Sequence, residues 1–211
     1  MKNIRSITVG KWQVNCYIIS DEMSRCVLID PGEDPAVIDE DIIQRNNLQP
    51  VALLATHGHL DHVGGAKYFS EKYSIPLHIH DDDVELSMSA THWAAILHTP
   101  GISNPIKFEH LNSGAIQIQG FGFEIIHTPG HTLGGVCVYL PEEETVFTGD
   151  TLFYRTVGRC DRPGLDTGGY DMLVDSVKSR LFRLPGKTTV FSGHGRSTTI
   201  DDERDMNLYL A

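Results

Sequence analysis

Cysteine is scarce in these 211 residues, and the four present (Cys16, Cys26, Cys137 and Cys160) are widely spaced with no CxxC pair. Cys16, Cys26 and Cys137 fall in strand-like runs, where each reads as a small core residue in a reducing compartment. The cytoplasm is therefore the expected location. No apolar run approaches the roughly 20 residues of a membrane span, so no membrane role is expected. The first ten residues are charged and polar and lack the apolar segment of a signal peptide. Positive charge is also short: 17 Lys and Arg face 28 Asp and Glu, a net charge of −11 with His neutral. That balance disfavours nonspecific binding to nucleic acid, which needs a cationic surface against phosphate. With no low-complexity linker and no repeat, residues 1–211 read as a single domain with ample length for a core.

Histidine is abundant, with 11 in the chain. The densest stretch is Thr56-His57-Gly58-His59-Leu60-Asp61-His62. Three imidazoles and a carboxylate are N and O ligands for a borderline dication, and they need little deprotonation at neutral pH. The apolar run 51–55 before it reads as a buried strand, and 63–73 after it as a helix. The motif is then a strand-to-helix loop held by a rigid sheet. His57 and His59, two apart in an extended segment, point the same way. Asp61 and His62 are adjacent and diverge, which suits a second, neighbouring metal. A merely solvated polar loop would leave the two glycines and the apolar strand unexplained.

Strands are expected over 4–9, 14–20 and 26–30, and Asp34-Pro35 reads as a helix N-cap and first position. A strand over 76–80 precedes an acidic helix cap at 81–83. Residues 92–114 read as a loop-like insertion bordering a substrate site, because of Thr99-Pro100-Gly101 and Asn104-Pro105. A hairpin over 115–126, strands over 135–140 and 145–148, a long glycine-bearing loop over 152–169, a helix from Asp171 to about 184, a strand over 188–192 and a helix over 202–210 complete the pattern. Strands followed by a helix occur twice, with a half-way mark near Gly114, which suggests two packed sheets with helices outside them.

Three later strands end in the same way. The first runs into His127-Thr128-Pro129-Gly130-His131, the second into Gly149-Asp150, and the third into Gly193-His194-Gly195. Strands lying side by side bring His131, Asp150 and His194 to one edge, with the 57–62 loop. His57, His59 and His131 can then hold one metal, and Asp61, His62 and His194 a second. Asp150 has two carboxylate oxygens and can bridge them, leaving room for a shared water. His78, His80 and His127 read as core or structural.

HxHxDH at 57–62, TPGHTLGG at 128–135, TGDTLF at 148–153 and SGHG at 192–195 together resemble the metallo-β-lactamase superfamily. Asn15-Cys16-Tyr17 and Leu28-Ile29-Asp30-Pro31-Gly32 fit its opening strands. The resemblance implies an α/β fold, the αββα four-layer sandwich, with metals at one sheet edge. The full seven-ligand set is similar to glyoxalase II, and the 157–164 loop to the short hydroxyacylglutathione hydrolases. True β-lactamases of this superfamily usually carry Cys where Asp150 stands and lack a counterpart of His62.

The expected activity is hydrolysis of a thioester, of hydroxyacylglutathione or a related thiol, by a hydroxide bridging two divalent ions. Zinc is the expected metal, with iron and manganese as alternatives. Asp61 and Asp150 are the expected catalytic carboxylates, and Arg159 and Arg155 the expected contacts to a substrate carboxylate. A persulfide dioxygenase is the main rival. That family uses one iron, which the resemblance would place on His57, His131 and Asp150, but it tends to carry His-Asp-Tyr where this chain has His194-Gly195-Arg196. Lactone hydrolysis is a third reading.

Overall fold

The computed structural model describes residues 2–160 and 168–211. Positions 161–164, part of the loop likened to hydroxyacylglutathione hydrolases, lie outside them. The chain divides into two compact units, Met1–Leu111 and Asn112–Ala211, close to the half-way mark read from the sequence.

The first unit carries a six-stranded sheet in chain order: β1 (Asn3–Val9), β2 (Val14–Ser20), β3 (Arg25–Ile29), β4 (Gln49–Leu54), β5 (Leu77–Ile79) and β6 (Phe108–His110). β1, β2 and β3 pair antiparallel, and β3 to β6 run parallel. Parallel neighbours need a crossover of about a dozen residues or more, and helices fill each one. α1 (Pro35–Ile38) continues into a π-helical stretch, Asp39–Gln44. α2 (Leu60–Val63) and α3 (Ala66–Tyr73) follow β4, and α4 (Val84–Met88) and α5 (Ala90–Leu97) follow β5. Ile18, Leu28, Leu53, Phe69 and Leu77, all closed to solvent, form the core.

Two expectations change here, and a third holds in part. The helix expected over 63–73 is split by Gly64-Gly65, where the chain turns against its neighbours: a Cβ on Gly65 would lie 2.5 Å from the Gly32 carbonyl. Asp34 is the N-cap and Pro35 the first helical position, as expected, but the Asp34 side chain makes no capping hydrogen bond. Asp34 has φ +56, and its carboxylate accepts from the Gly10 amide at 3.2 Å. The loop expected over 92–114 is helical up to Leu97 and returns to the sheet as β6. Ala90 and Ala94, four apart, are buried and set the helical face, while the proline-bearing segments mark only its end.

The second unit has a sheet ordered β14-β13-β10-β9-β8-β7. Its strands are β7 (Gly114–Ile118), β8 (Phe121–His127), β9 (Val136–Leu140), β10 (Thr145–Gly149), β13 (Thr189–Ser192) and β14 (Thr198–Thr199); β11 (Leu152–Phe153) and β12 (Thr156–Val157) make a separate hairpin. β8 and β10 each pair antiparallel with β9, so they run the same way, and β13 is parallel to β10. Three strands therefore end at one edge. α6 (Tyr170–Ser179) starts from Gly169 at φ +100, with Asp171 in its first turn and not at its cap. α7 (Ile200–Met206) is capped by Thr199, whose hydroxyl accepts from the Asp202 amide. Cys137, Val146, Leu173, Val190 and Ile200 form the core. No described helix is long and apolar enough to cross a membrane. Cys16, Cys26 and Cys137 are buried and unbridged.

Candidate metal centre

In the first unit β3 and β4 are parallel neighbours, so the residues just past each lie side by side. Asp30 follows β3 with φ +52 and is almost wholly buried. Its Oδ1 accepts from the Thr56 amide at 2.7 Å, and its Oδ2 from the Thr56 hydroxyl at 2.8 Å. His62 Nδ1 is 2.9 Å from the same Oδ2. A carboxylate offers only acceptors, so His62 carries its proton on Nδ1 and its lone pair on Nε2. The Thr56 hydroxyl has given its proton to Asp30 and must accept from His57 Nδ1, 3.1 Å away. His57 is thereby also set as an Nε2 lone-pair donor. One buried carboxylate fixes both tautomers.

The donor atoms then converge. His57 Nε2 and His59 Nδ1 stand 3.0 Å apart, and the His57 and His62 rings lie 4.0 Å centre to centre. Asp61 Oδ2 is 3.9 Å from His62 Nε2. All three imidazoles are buried. Between His57 and His59, the Gly58 amide donates to the buried Asp83 carboxylate at 2.8 Å, and a Cβ there would meet the Asp83 carbonyl at 2.6 Å. Glu33 lies near this loop. Burial pushes its carboxyl up against the pull of the Lys11 amide, and the charge of Asp61 adds to the rise.

In the second unit the three strand ends assemble as the sequence led us to expect. His131 Nε2 is 3.5 Å from Asp150 Oδ2, and His194 Nε2 is 3.6 Å from Asp150 Oδ1. Charge-assisted hydrogen bonds run at about 2.7–2.9 Å, well short of these distances. Two donors bound to one tetrahedral ion stand roughly 3.4 Å apart, which is close to them. Each imidazole takes a different oxygen, as a carboxylate shared between two ions requires. His131 Nδ1 donates to the Arg159 carbonyl at 2.7 Å, which leaves Nε2 as its donor atom. Gly158 keeps this turn tight: a Cβ there would fall 1.9 Å from the Asp150 carbonyl. The Gly193 amide donates to the Gly149 carbonyl at 2.8 Å, tying the His194 turn to the Asp150 turn.

The two arginines expected at the substrate differ. The Arg159 side chain is exposed, while its carbonyl orients His131. Arg155 is held inside the fold. Its amide and Nη1 donate to the buried Glu203 carboxylate at 2.8 Å each, and Nη1 also to the Asp202 carbonyl at 2.7 Å. A guanidinium so engaged braces the β11–β12 hairpin against α7, and its substrate role is withdrawn. His80 accepts from the Asp82 amide and His127 pairs with the Leu133 carbonyl, both local structural uses. Sequence reasoning missed Asp30 and Asp83 as supports of the ligand loop. Asp30 gives the signal used elsewhere, a polar residue at the end of an apolar strand, but it reads as the last residue of the strand expected over 26–30.

A family model described as the metallo-beta-lactamase superfamily matches residues 9–194. The chain is 35% identical over 214 residues to hydroxyacylglutathione hydrolase GloC of Haemophilus influenzae, covering 99% of this chain and 98% of that protein. Among solved structures it is similar to the BLEG-1 B3 metallo-beta-lactamase, with a TM-score of 0.90 and 32% identity over 99% of this chain and all of that one. It is also similar to TTHA1623 in a di-iron-bound form, with a TM-score of 0.87 and 36% identity over 98% of this chain and all of that one.

Proposed function

This chain belongs to the metallo-beta-lactamase superfamily and has its fold, mixed α/β with two sheets and helices; from that premise we propose that it is a dinuclear metallo-hydrolase acting on thioesters. In this reading His57, His59 and His131 would hold one divalent ion and Asp61, His62 and His194 the other, with Asp150 as a ligand available to both. The observation that carries it is the placement of His131 and His194 at separate oxygens of Asp150, 3.5 and 3.6 Å away. A donor set of imidazoles and carboxylates without thiolate suits zinc, with iron or manganese as alternatives; the di-iron neighbour supports iron as a real competitor.

Bound ions supply an activated solvent nucleophile near neutral pH and a Lewis acid for the acyl carbonyl. The chain's residues do the rest. Asp30 holds the Nδ1 proton of His62 directly and that of His57 through Thr56, so that both present Nε2. The Arg159 carbonyl does the same for His131. Asp61 offers a carboxylate to orient the attacking water. A thiolate departs without needing a proton, so a site built from ligands and acceptors suits a thioester better than an amide. GloC, by its name a hydroxyacylglutathione hydrolase, supports this substrate class. Buried, unbridged cysteines support a reducing, cytoplasmic setting.

The test pairs metal analysis of the purified protein with three assays: thiol release from a hydroxyacyl thioester, oxygen uptake with a persulfide, and ring opening of a β-lactam and a lactone. Two ions per chain with thiol release is the expected result. One iron with oxygen uptake and intact thioesters would make the protein a dioxygenase. Ring opening with thioesters spared would move it to the lactamase or lactonase branch.

A further inference from the structure

The turn after His194 carries a cation that the reading above does not use. Gly195 has φ +76, and Arg196 follows it. The Arg196 guanidinium carbon lies 3.5 Å above the centroid of the Tyr154 ring. Arg155 lies against the same ring at 4.7 Å. The two arginines differ in charge balance. Arg155 is neutralised by Glu203 at 2.8 Å and faces Asp202 at 3.7 Å. Arg196 is exposed, and among the described residues its one contact is the ring face. In a chain of net charge −11, such a cation is not there to balance a neighbouring acid. Contact with the ring face positions the guanidinium without using up its N–H donors, the fork that matches a carboxylate.

The turn that presents it is firm. The Ser192 hydroxyl donates to the His194 carbonyl at 2.8 Å, and the Gly193 amide is tied to Gly149. Tyr154 sits in the β11–β12 hairpin, which Arg155 anchors to Glu203, and the neighbouring Phe153 ring lies 6.2 Å from the His194 ring. A rigid cation two residues from a metal-binding imidazole is a fixed ruler between the reacting centre and a negative group on the substrate.

We propose that Arg196, stacked on Tyr154, is the specificity residue that binds a carboxylate of the substrate, so that the preferred thioester is anionic. This rests on the thioesterase reading. The carboxylate can lie on the acyl side or on the thiol side, and the guanidinium chemistry is the same for both.

The experiment compares wild type, Arg196→Gln and Arg196→Lys on three thioesters: lactoyl-glutathione, with carboxylates on the thiol; succinyl-N-acetylcysteamine, with one on the acyl group; and lactoyl-N-acetylcysteamine, with none. Loss of one charge-assisted hydrogen-bonded pair should lower kcat/KM roughly ten- to hundredfold. The loss should fall in KM, on the anionic substrate class alone, with Lys restoring only part. The affected substrate identifies the side that carries the carboxylate. Equal losses on the neutral thioester, or no loss on either anionic one, would overturn the proposal. Binding of S-hexylglutathione, S-(3-carboxypropyl)-N-acetylcysteamine and S-hexyl-N-acetylcysteamine to the metal-loaded protein, by calorimetry, decides the matter without turnover. If wild type cleaves no thioester, the thioesterase reading falls. Arg196 still stands if an anionic ligand weakens in Arg196→Gln while the neutral one does not, and falls if all three bind the variant as they bind wild type or weaken alike.

Discussion

His62 Nδ1 and Asp30 Oδ2 meet at 2.9 Å with both side chains shut off from solvent. Asp30 lies 32 residues before His62, yet it decides which nitrogen of that ring carries the lone pair. Replacing it with Asn keeps the shape and puts an NH2 where two donors now converge, from Thr56 and His62. Such supporting carboxylates are worth about 10–100-fold in metal affinity. Asp30→Asn should lose affinity in that range by chelator competition while keeping its circular dichroism spectrum. Wild-type affinity in the variant would mean that the tautomers are set in some other way.

Asp150 makes the complementary case in the second unit. It touches His131 and His194 at different oxygens and is mostly buried. Asp150→Ala should drop the metal content of purified protein below two ions per chain and abolish turnover, because among the described residues Asp150 places a separate oxygen beside each of His131 and His194. Folding should survive, since the substitution removes an acid from an acidic protein and leaves β10 intact. Two ions retained per chain would take Asp150 out of the centre.

How far the sequence could be read depended on the kind of signal. His57, His59, Asp61 and His62 announce themselves by density, and His131, Asp150 and His194 by a shared context of apolar strand, glycine and polar residue. Pattern within a few residues of a strand end was enough. Arg155 shows where it fails. A basic residue in a glycine-bearing loop reads the same whether it meets substrate or is pinned by Glu203, a partner 48 residues away. Asp83, read as part of a helix cap, turned out to hold the Gly58 amide 25 residues back. Helix α5 was hidden for another reason: alanines, aromatics and histidine give a weak period, and the flanking prolines spoke louder.

Asp39 gives a pH-dependent prediction. Burial pushes its carboxyl up, but hydrogen bonds from Lys72, Tyr73 and Gln44 outweigh that, and the group sits below the ordinary carboxylate range. The same contact raises the Lys72 ammonium. A depressed carboxylate contributes stability that is full above its unfolded value, near 4, and disappears as pH falls through the folded value. Asp39→Asn should therefore be less stable than wild type at neutral pH, with the gap closing on acidification. Urea midpoints at neutral pH and in strong acid measure it. A gap that stays constant across the range would show that the loss came from packing and not from charge.

Glu203 carries the largest expected stability effect. It is closed to solvent and accepts from four donors: the Arg155 amide and Nη1 at 2.8 Å, the Thr198 hydroxyl at 2.6 Å and the Asn207 side chain at 2.9 Å. Glu203→Ala strands a partly buried guanidinium and two polar groups at once. Removing one partner of a buried pair costs about 3–5 kcal/mol, and the contact that Arg155 keeps with the Asp202 carbonyl puts this case at the lower end. For a chain of this length about 3 kcal/mol lowers Tm by roughly 6–12 °C. Asp202→Ala removes a longer, more exposed partner of Arg155 at 3.7 Å and one hydrogen bond from the Thr199 hydroxyl, and should cost about 1 kcal/mol. The two variants also separate stability from function. Glu203→Ala frees the hairpin that sets Phe153 near His194, so metal affinity should fall with Tm. Asp202→Ala should lower Tm by only roughly 2–4 °C and leave metal affinity unchanged. Equal effects from both would mean that Arg155 is steadied by general charge attraction and not by the buried network.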